Sequence, residues 1–310
     1  MQIDRVLIVH KKSLYKLYVE EHHSGAVLRA IDRGDHRARL LVQTHETQQR
    51  GLEQIVPALE QRGLRVAVRW RGNVRSLRGY QLVIAFGGDG TLLDISHRIE
   101  NNTPLLGINS DPTISVGALM AGNADELPRL LDELSAGRLR PTAVTRIRLR
   151  VDGTPVLSPC LNDVLYAHVS PAEMTRYEMG VLPREEAEAM EPDGRLDYRR
   201  SSGLWIATGA GSTAAVRSAG GRVMSPGSRK LQYVIREPYI PPATPPRRGA
   251  HYGWVEPGQV LVLASRVRRG MLWADGSHHR QRVAYGQTIL VDAHPQSLQL
   301  VLPPAARRQG

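Results

Sequence analysis

The chain is expected to form an α/β N-terminal domain with a parallel sheet, joined to a mostly β, sandwich-like C-terminal domain. Three observations predict this. Short continuous apolar runs alternate with helical spacing up to about Pro141, strands of alternating polarity dominate beyond it, and Asp-Gly or Pro-Gly pairs separate those strands. The expected division is 1–141 for the first domain and 142–295 for the second. Residues 296–310 form a tail expected to pack back on the first.

In the first domain, Arg5 to His10 (RVLIVH) is a β-branched run. Thr44 to Gln61 has helical spacing at Leu52, Ile55, Val56 and Leu59 and ends before Gly63. Arg65 to Trp70 alternates in polarity, Leu82 to Phe86 is a continuous apolar strand, Leu92 to Glu100 is helical, and Pro104 to Asn109 is another buried strand. Ala124 to Leu139 reads as an amphipathic helix stopping at Pro141. The second domain offers RIRLRVDG, LNDVLYAHV, YEMGVL, GLWIATG, GQVLVLASRV, MLWADG and QTILVDA as strands. Pro183 to Asp197 is acidic without apolar periodicity and is expected to be a solvated surface loop. Pro238 to Pro246 is expected to be a stiff, proline-rich crossing.

Composition narrows the function. The apolar fraction of 41% in 310 residues supports real cores and excludes a disordered chain. No apolar run approaches the roughly 20 residues of a membrane span, so no membrane partner is expected. The first residues lack an export or import pattern, and the single Cys160 suits a reducing compartment, so a cytoplasmic location is expected. Basic residues exceed acidic ones by 41 − 30 = 11, but 37 of the 41 are arginine and there is one phenylalanine, Phe86. That bias points to a GC-rich genome. No basic motif interleaved with aromatics supports nucleic-acid binding.

Gly87-Gly88-Asp89-Gly90-Thr91 follows the buried strand Leu82 to Phe86 and leads into a helix. Ligands bind at the carboxyl ends of parallel strands, and glycines let backbone N–H groups approach phosphate oxygens. An aspartate there cannot attract a phosphate. It suits interaction with Mg²⁺ or acceptance of a hydroxyl proton; the alternative is a tight turn with Asp89 as helix N-cap. Thr208-Gly209-Ala210-Gly211-Ser212-Thr213-Ala214-Ala215 is a second small-residue element after an apolar strand, with packing as its alternative. Asn162-Asp163 begins a strand although both are poor strand formers; an amide suits an adenine edge and a carboxylate suits sugar hydroxyls, against an Asx turn. Lys11, Lys12 and Lys16 follow the first strand and could meet donor phosphates, or be simply solvated. The adjacent pairs His22-His23 and His278-His279 are poor chelators. His97 suits packing, and Asp275-Gly276 a hairpin turn.

In order and spacing, GGDGT at 87–91, PLLGIN at 104–109, LNDV at 161–164, GLWIATGAGSTAAVRSAGG at 203–221 and ADG at 274–276 resemble the NAD kinase family. GGDGT is shared with lipid kinases and phosphofructokinases, and the combination with GxGSTA is more specific. GINSDPTISVG at 107–117 and Ser201-Ser202-Gly203 look closest to the mitochondrial-type branch. The resemblance implies an NAD kinase/diacylglycerol kinase-like fold with the dinucleotide in the crevice between two domains. It also implies a homo-oligomer, a dimer or tetramer, and phosphorylation of the adenosine-ribose 2′-hydroxyl of NAD(H) by ATP or another phosphoryl donor such as polyphosphate, with Mg²⁺. Asp89 is the implied catalytic residue, Asn162 meets adenine, and Asp163, where most members have Glu, meets ribose. Ser212, Thr213 and Ala214 line the adenosine pocket, and Gly87, Gly88, Gly90, Thr91, Asn109, Thr208 and Gly211 complete the nucleotide-binding set. Ala210 and Ala215 depart from a frequent hydroxyl residue and a frequent aromatic. Backbone N–H groups of Gly88, Gly90 and Thr91 are expected to hold the transferred phosphoryl group. Two alternatives remain, a lipid or sphingoid kinase and a noncatalytic nucleotide-binding protein. The Leu92-Leu93-Asp94 sequence after GGDGT disfavours the first, which usually has an Asn there, and the retained Asp89 disfavours the second.

Overall fold

The computed structural model describes residues 3–114, 116–189, 196–241 and 251–302. The chain folds as two compact units, Met1–Thr142 with Gln299–Gly310, and Ala143–Leu298.

The first unit contains strands β1 (Arg5–His10), β2 (Arg65–Trp70), β3 (Leu82–Gly87), β4 (Leu105–Asn109) and β5 (Gly122–Asn123), with helices α1 (Gly25–Asp32), α2 (His36–Glu60), α3 (Asp89–Ser96) and α4 (Leu127–Ser135). At its edge β6 (Thr142–Val144) crosses into the second unit, and the late strand Leu298–Val301 returns to lie beside β4. The order is β2-β1-β3-β4-late strand-β6, with β5 also on β4. The β1–β2, β1–β3 and β3–β4 pairs are parallel, and every residue of β3 and β4 is buried. Continuous apolar strands are what a sheet covered on both faces requires. Val6, Ile8, Ile84, Phe86 and Ile108 pack with Ile55 and Leu59 of α2 and Leu127, Leu130 and Leu134 of α4.

Helix α2 begins at His36 rather than Thr44, because Asp35 caps it by accepting from the N–H groups of Arg37 and Ala38. Helix α3 begins inside the glycine-rich motif, at Asp89, and ends at Ser96 rather than Glu100. The segment Ala124 to Leu139 is a 3₁₀ turn, Ala124–Glu126, followed by the shorter α4. Asn123 and Glu126 form a capping box at its start.

The second unit consists of two antiparallel sheets. One is ordered β11 (Asp197–Ser201), β10 (Thr175–Pro183), β15 (Gln259–Ser265), β18 (Thr288–Ala293), β7 (Ile147–Val151), β8 (Thr154–Pro155). The other is ordered β14 (Tyr252–Val255), β13 (Leu231–Arg236), β12 (Gly203–Ala207), β9 (Asp163–His168), β16 (Gly270–Ala274), β17 (His279–Val283). With the late strand Leu298–Val301 as β19, these are the strands of the described residues. One core holds residues of both sheets, among them Leu149, Met179 and Leu263 from the first and Val164, Ile206 and Leu272 from the second. The Tyr166 and Tyr177 rings meet edge to face at 5.8 Å, and their hydroxyls bond Ser265 Oγ at 2.8 Å and Ser201 Oγ at 3.0 Å. Buried phenols thus have the partners they need.

The acidic segment is not wholly a loop. Arg184–Ala189 forms helix α5, with Glu185 and Glu186 in its first turn, where the helix dipole favours them. Its Ala187 is buried against Val260, Val262 and Leu290. One buried residue suffices for so short a helix, which is why no periodicity announced it. Residues 190–195 lie outside the described residues, as do 242–250, most of the proline-rich stretch; 238–241 are neither helix nor strand. No helix among the described residues is long and apolar enough to cross a membrane.

An ion cluster ties α5 to the sheet. Asp292 on β18 is fully buried and accepts from Arg148 on β7 at 2.9 and 2.5 Å, while Arg184 reaches it at 2.9 Å. Removing a carboxylate from such a cluster leaves facing guanidinium groups. Because both arginines reach solvent, we expect Asp292→Ala to lose about 3 kcal/mol, the low end for a broken buried pair. Urea denaturation followed by tryptophan fluorescence checks this, and an unchanged midpoint would show the cluster to be energetically neutral.

Candidate functional site

In the first unit the site begins where β3 ends. Gly88 is the extended N-cap of α3 and Asp89 its first residue, so the carboxylate lies at the positive end of the helix dipole. Asp89 is therefore not the cap itself. Its Oδ2 accepts from the N–H of Ala118 and its Oδ1 from the N–H of Leu119, both at 3.0 Å. A carboxylate has about four lone-pair sites, so two of them remain for a ligand. The partner turn depends on Gly117, whose φ of 63° lies in the left-handed region. A Cβ there would also stand 2.8 Å from Asn109 Nδ2.

Around this turn the loop after β4 holds itself with short polar side chains. Asn109 is buried, and its Oδ1 accepts from the Asp111 N–H at 3.1 Å; the buried Asp111 accepts from the Thr113 N–H and hydroxyl. Asn109 therefore supports the loop from beneath. Of the expected phosphoryl-binding amides, that of Thr91 donates to the Gly88 carbonyl at 2.8 Å and is already committed, and Thr91 is buried. Gly88 is half-buried and Gly90 exposed, whereas Gly87 is buried at the end of β3. At the same sheet edge Lys12 is paired with Glu21 at 2.7 Å and lies over the Trp70 ring, while Lys11 is half-buried. Burial, followed by the charge of Arg71, lowers the Lys11 ammonium below its usual range. His97 is buried just after α3.

In the second unit the site forms where β9 starts, β12 ends and β16 turns. Asp163 pairs with Ala207 across β9 and β12, and Val164 with Ala274 across β9 and β16. The Thr208 hydroxyl donates to the Leu161 carbonyl at 2.6 Å and accepts from the Gly211 N–H at 3.1 Å. The Ser212 hydroxyl donates to the Gly209 carbonyl at 2.8 Å and accepts from the Met224 N–H at 2.9 Å. Both side chains are fully buried and hold the loop; Thr213 is exposed and Ala214 half-buried. Gly211 lies so close to the preceding strand that a Cβ would stand 2.0 Å from the Asn162 carbonyl oxygen. Only glycine fits there.

Asn162 is half-buried, and its side-chain amide makes no hydrogen bond among the described residues. Asp163 is 7% exposed. Burial, reinforced by the neighbouring charge of Asp275, pushes its carboxyl up to about 7. The composition of the motif did not point to Asp275, which stands in the β16–β17 turn and binds the backbone of the Leu161–Asp163 segment. Its sequence signals are the Asp-Gly pair and the place of ADG at 274–276 in the family resemblance. Cys160 is fully buried beside it, and burial first, then the Asp275 charge, raises the thiol well above its usual range. A thiol so placed stays protonated and unreactive. His278 is exposed and His279 half-buried in the same hairpin; among the described residues no three His, Cys, Asp or Glu side chains cluster as a metal ligand set.

Comparison with known proteins adds findings of three kinds. The ATP-NAD kinase N-terminal domain matches residues 5–139. A probable NADH kinase of Oryza sativa subsp. japonica is 36% identical over 244 residues, covering 74% of this chain and 73% of its own. An NADH kinase of Arabidopsis thaliana is 35% identical over 241 residues, covering 73% and 74%. Among solved structures, an NAD kinase from Archaeoglobus fulgidus in complex with ATP superposes with a TM-score of 0.64 at 19% identity, over 98% of this chain and 96% of that one. Yeast NADH kinase complexed with NADH superposes with a TM-score of 0.67 at 15% identity, over 99% and 86%. At such identities the two structures bear on the fold alone. The plant relatives carry the family. With more than a third of positions identical over nearly three quarters of either chain, the protein belongs to the NAD kinase family of phosphotransferases.

Proposed function

We propose that the protein transfers a phosphoryl group from ATP to the 2′-hydroxyl of the adenosine ribose of NAD⁺ or NADH, giving NADP⁺ or NADPH. The observation that carries this is Asp89, at the carboxyl end of a parallel strand, oriented by two backbone N–H groups with lone pairs to spare. A ribose hydroxyl is a poor nucleophile. Asp89 aligns it and accepts its proton as the oxygen attacks the terminal phosphorus and the donor's bridging oxygen leaves with the bond electrons.

The remaining residues bind and orient. Gly88 and Gly90 offer backbone N–H groups to the phosphoryl oxygens, and Thr91 shapes the turn through its own internal bond. In the second unit the Asn162 amide meets the adenine edge and Asp163 accepts from ribose hydroxyls. Exposed Thr213 and half-buried Ala214 lie against the adenosine, and the hydroxyls of Thr208 and Ser212 hold the wall behind them. A divalent cation such as Mg²⁺ enters with the donor as part of the substrate, on the phosphates. We assign the protein to the reducing cytoplasm that the lone buried thiol suits, as a homo-oligomer whose mass light scattering will give.

The direct test supplies purified protein with Mg²⁺-ATP and either NAD⁺ or NADH. NADP⁺ is followed through a coupled dehydrogenase, and NADPH by chromatography. Folded protein that makes neither product with ATP, another nucleoside triphosphate or polyphosphate overturns the proposal.

Two variants sharpen it. Asp89→Asn removes the proton acceptor, so it should lower turnover by at least about a hundred-fold; it also turns an NH₂ toward one of the two loop N–H groups and should destabilise the protein by about 1 to 3 kcal/mol through the unsatisfied donor. Steady-state kinetics and thermal unfolding on one preparation read both effects, and near-normal turnover excludes Asp89 as the base.

For Asp163 the folded carboxyl titrates near 7 against 3.8 when solvated, so the folded state binds more protons than the unfolded state between those values. Stability therefore falls as pH rises from about 4 to about 7, and the penalty is complete above 7. Asp163→Asn should flatten that part of the stability profile. It should also remove the rise in dinucleotide KM that we expect as the wild-type carboxylate is protonated between pH 8 and 6. Parallel wild-type and variant profiles would contradict the assignment.

A further inference from the structure

The hairpin β16–β17 turns at Asp275, whose φ of 49° places a non-glycine residue in the left-handed region. Its side chain reaches back 112 to 115 residues along the chain. Oδ1 accepts from the N–H groups of Asn162 at 2.7 Å and Asp163 at 3.2 Å, and from the Cys160 thiol at 2.9 Å; Oδ2 accepts from the Leu161 N–H at 2.8 Å. Three consecutive backbone N–H groups turned toward one point form a concave nest of the kind that binds anions. Here the nest is filled from within by a carboxylate. The link is reciprocal, since the Asp275 N–H donates to the Asp163 carbonyl at 3.0 Å.

The amide of Asn162 has no hydrogen bond of its own among the described residues to fix it, and no side-chain bond is formed by Asp163 there either. Their orientation is inherited from the backbone. A displacement of that backbone passes directly to both side chains, with no side-chain hydrogen bond among the described residues to hold them back.

We propose that Asp275 is the positioning residue for adenosine recognition: by filling the Leu161–Asp163 nest it sets where the Asn162 amide and the Asp163 carboxyl meet the dinucleotide. This rests on the dinucleotide-binding role assigned to Asn162 and Asp163 above. Asp275 itself need not touch the ligand. An isosteric amide cannot substitute for it, because an NH₂ in place of either oxygen opposes at least one N–H donor. A glutamate keeps both acceptor oxygens, one methylene displaced.

The test compares Asp275→Asn, Asp275→Glu, Asn162→Ala and Asp163→Asn in the full chain, with NAD⁺ and Mg²⁺-ATP varied separately. Asp275→Asn should raise the KM for NAD⁺ about ten-fold or more, as one lost hydrogen-bond arrangement implies, while the KM for ATP and kcat stay near wild type. Asp275→Glu should recover part of the loss. A purely structural role would lower the melting temperature and the active fraction without this split between substrates. If Asn162→Ala and Asp163→Asn raise the KM for NAD⁺ but Asp275→Asn does not, the positioning role is overturned alone. If none of the three raises it, the binding assignment fails and takes the positioning role with it. Should Asp275→Asn not fold, hydrogen exchange on the wild-type protein decides. Amides of Leu161, Asn162 and Asp163 exchanging as fast as those of the exposed turn residues Ser277 and His278 would overturn the proposal, and strong protection would support it.

Discussion

A half-buried carboxylate that accepts backbone N–H groups from a distant loop is the interaction on which both glycine-rich regions depend. Asp89 gathers the amides of Ala118 and Leu119, and Asp275 gathers those of Leu161, Asn162 and Asp163. Loops carry backbone donors that neither helix nor sheet satisfies, and leaving them bare would be costly where water is scarce. One carboxyl side chain satisfies two or three at once. It also fixes the geometry before any ligand arrives, which is what transfer chemistry built on positioning requires.

This economy explains the division of labour within each motif. In the second glycine-rich segment the hydroxyls of Thr208 and Ser212 face carbonyls and amides of their own unit, and small neighbours at Thr213 and Ala214 remain accessible. In the first, Asn109 and Asp111 form successive side-chain turns beneath the loop. Polar residues in such motifs fall into two groups. Those with every bond internal set the shape, and those with bonding capacity left over, such as Asn162, are available for recognition.

The architecture was largely readable from the chain. Runs such as LVIAF and VLVLA, with no polar residue to suggest an exposed face, mark buried strands, and the glycine-rich turn after the first marks its carboxyl end. Harder to read were β17, whose alternating HRQRV lies at a sheet edge, and α5, which needs a single buried alanine. Least readable were the long-range carboxylate bonds. The ADG and LNDV stretches are marked by the family resemblance, but nothing in either announces that the Asp275 carboxyl gathers the amides of Leu161, Asn162 and Asp163. The arginine excess likewise conceals individual roles, because Arg148 and Arg184 meet buried Asp292, and Arg266 forms a two-toothed pair with Glu178. Such fork geometry is open to arginine and not to lysine.

Gly211 carries a different kind of consequence. Because its α-carbon rests against the carbonyl of Asn162, the spelling of one motif is dictated by the backbone of another almost fifty residues earlier. The two segments are one surface with respect to inherited change. A side chain could enter at position 211 only after the start of β9 had moved away, and that move would break the Asp275 nest as well. Three stretches of chain are thus locked into a single unit of variation, and drift in any one of them is tolerated only to the extent that the other two drift with it.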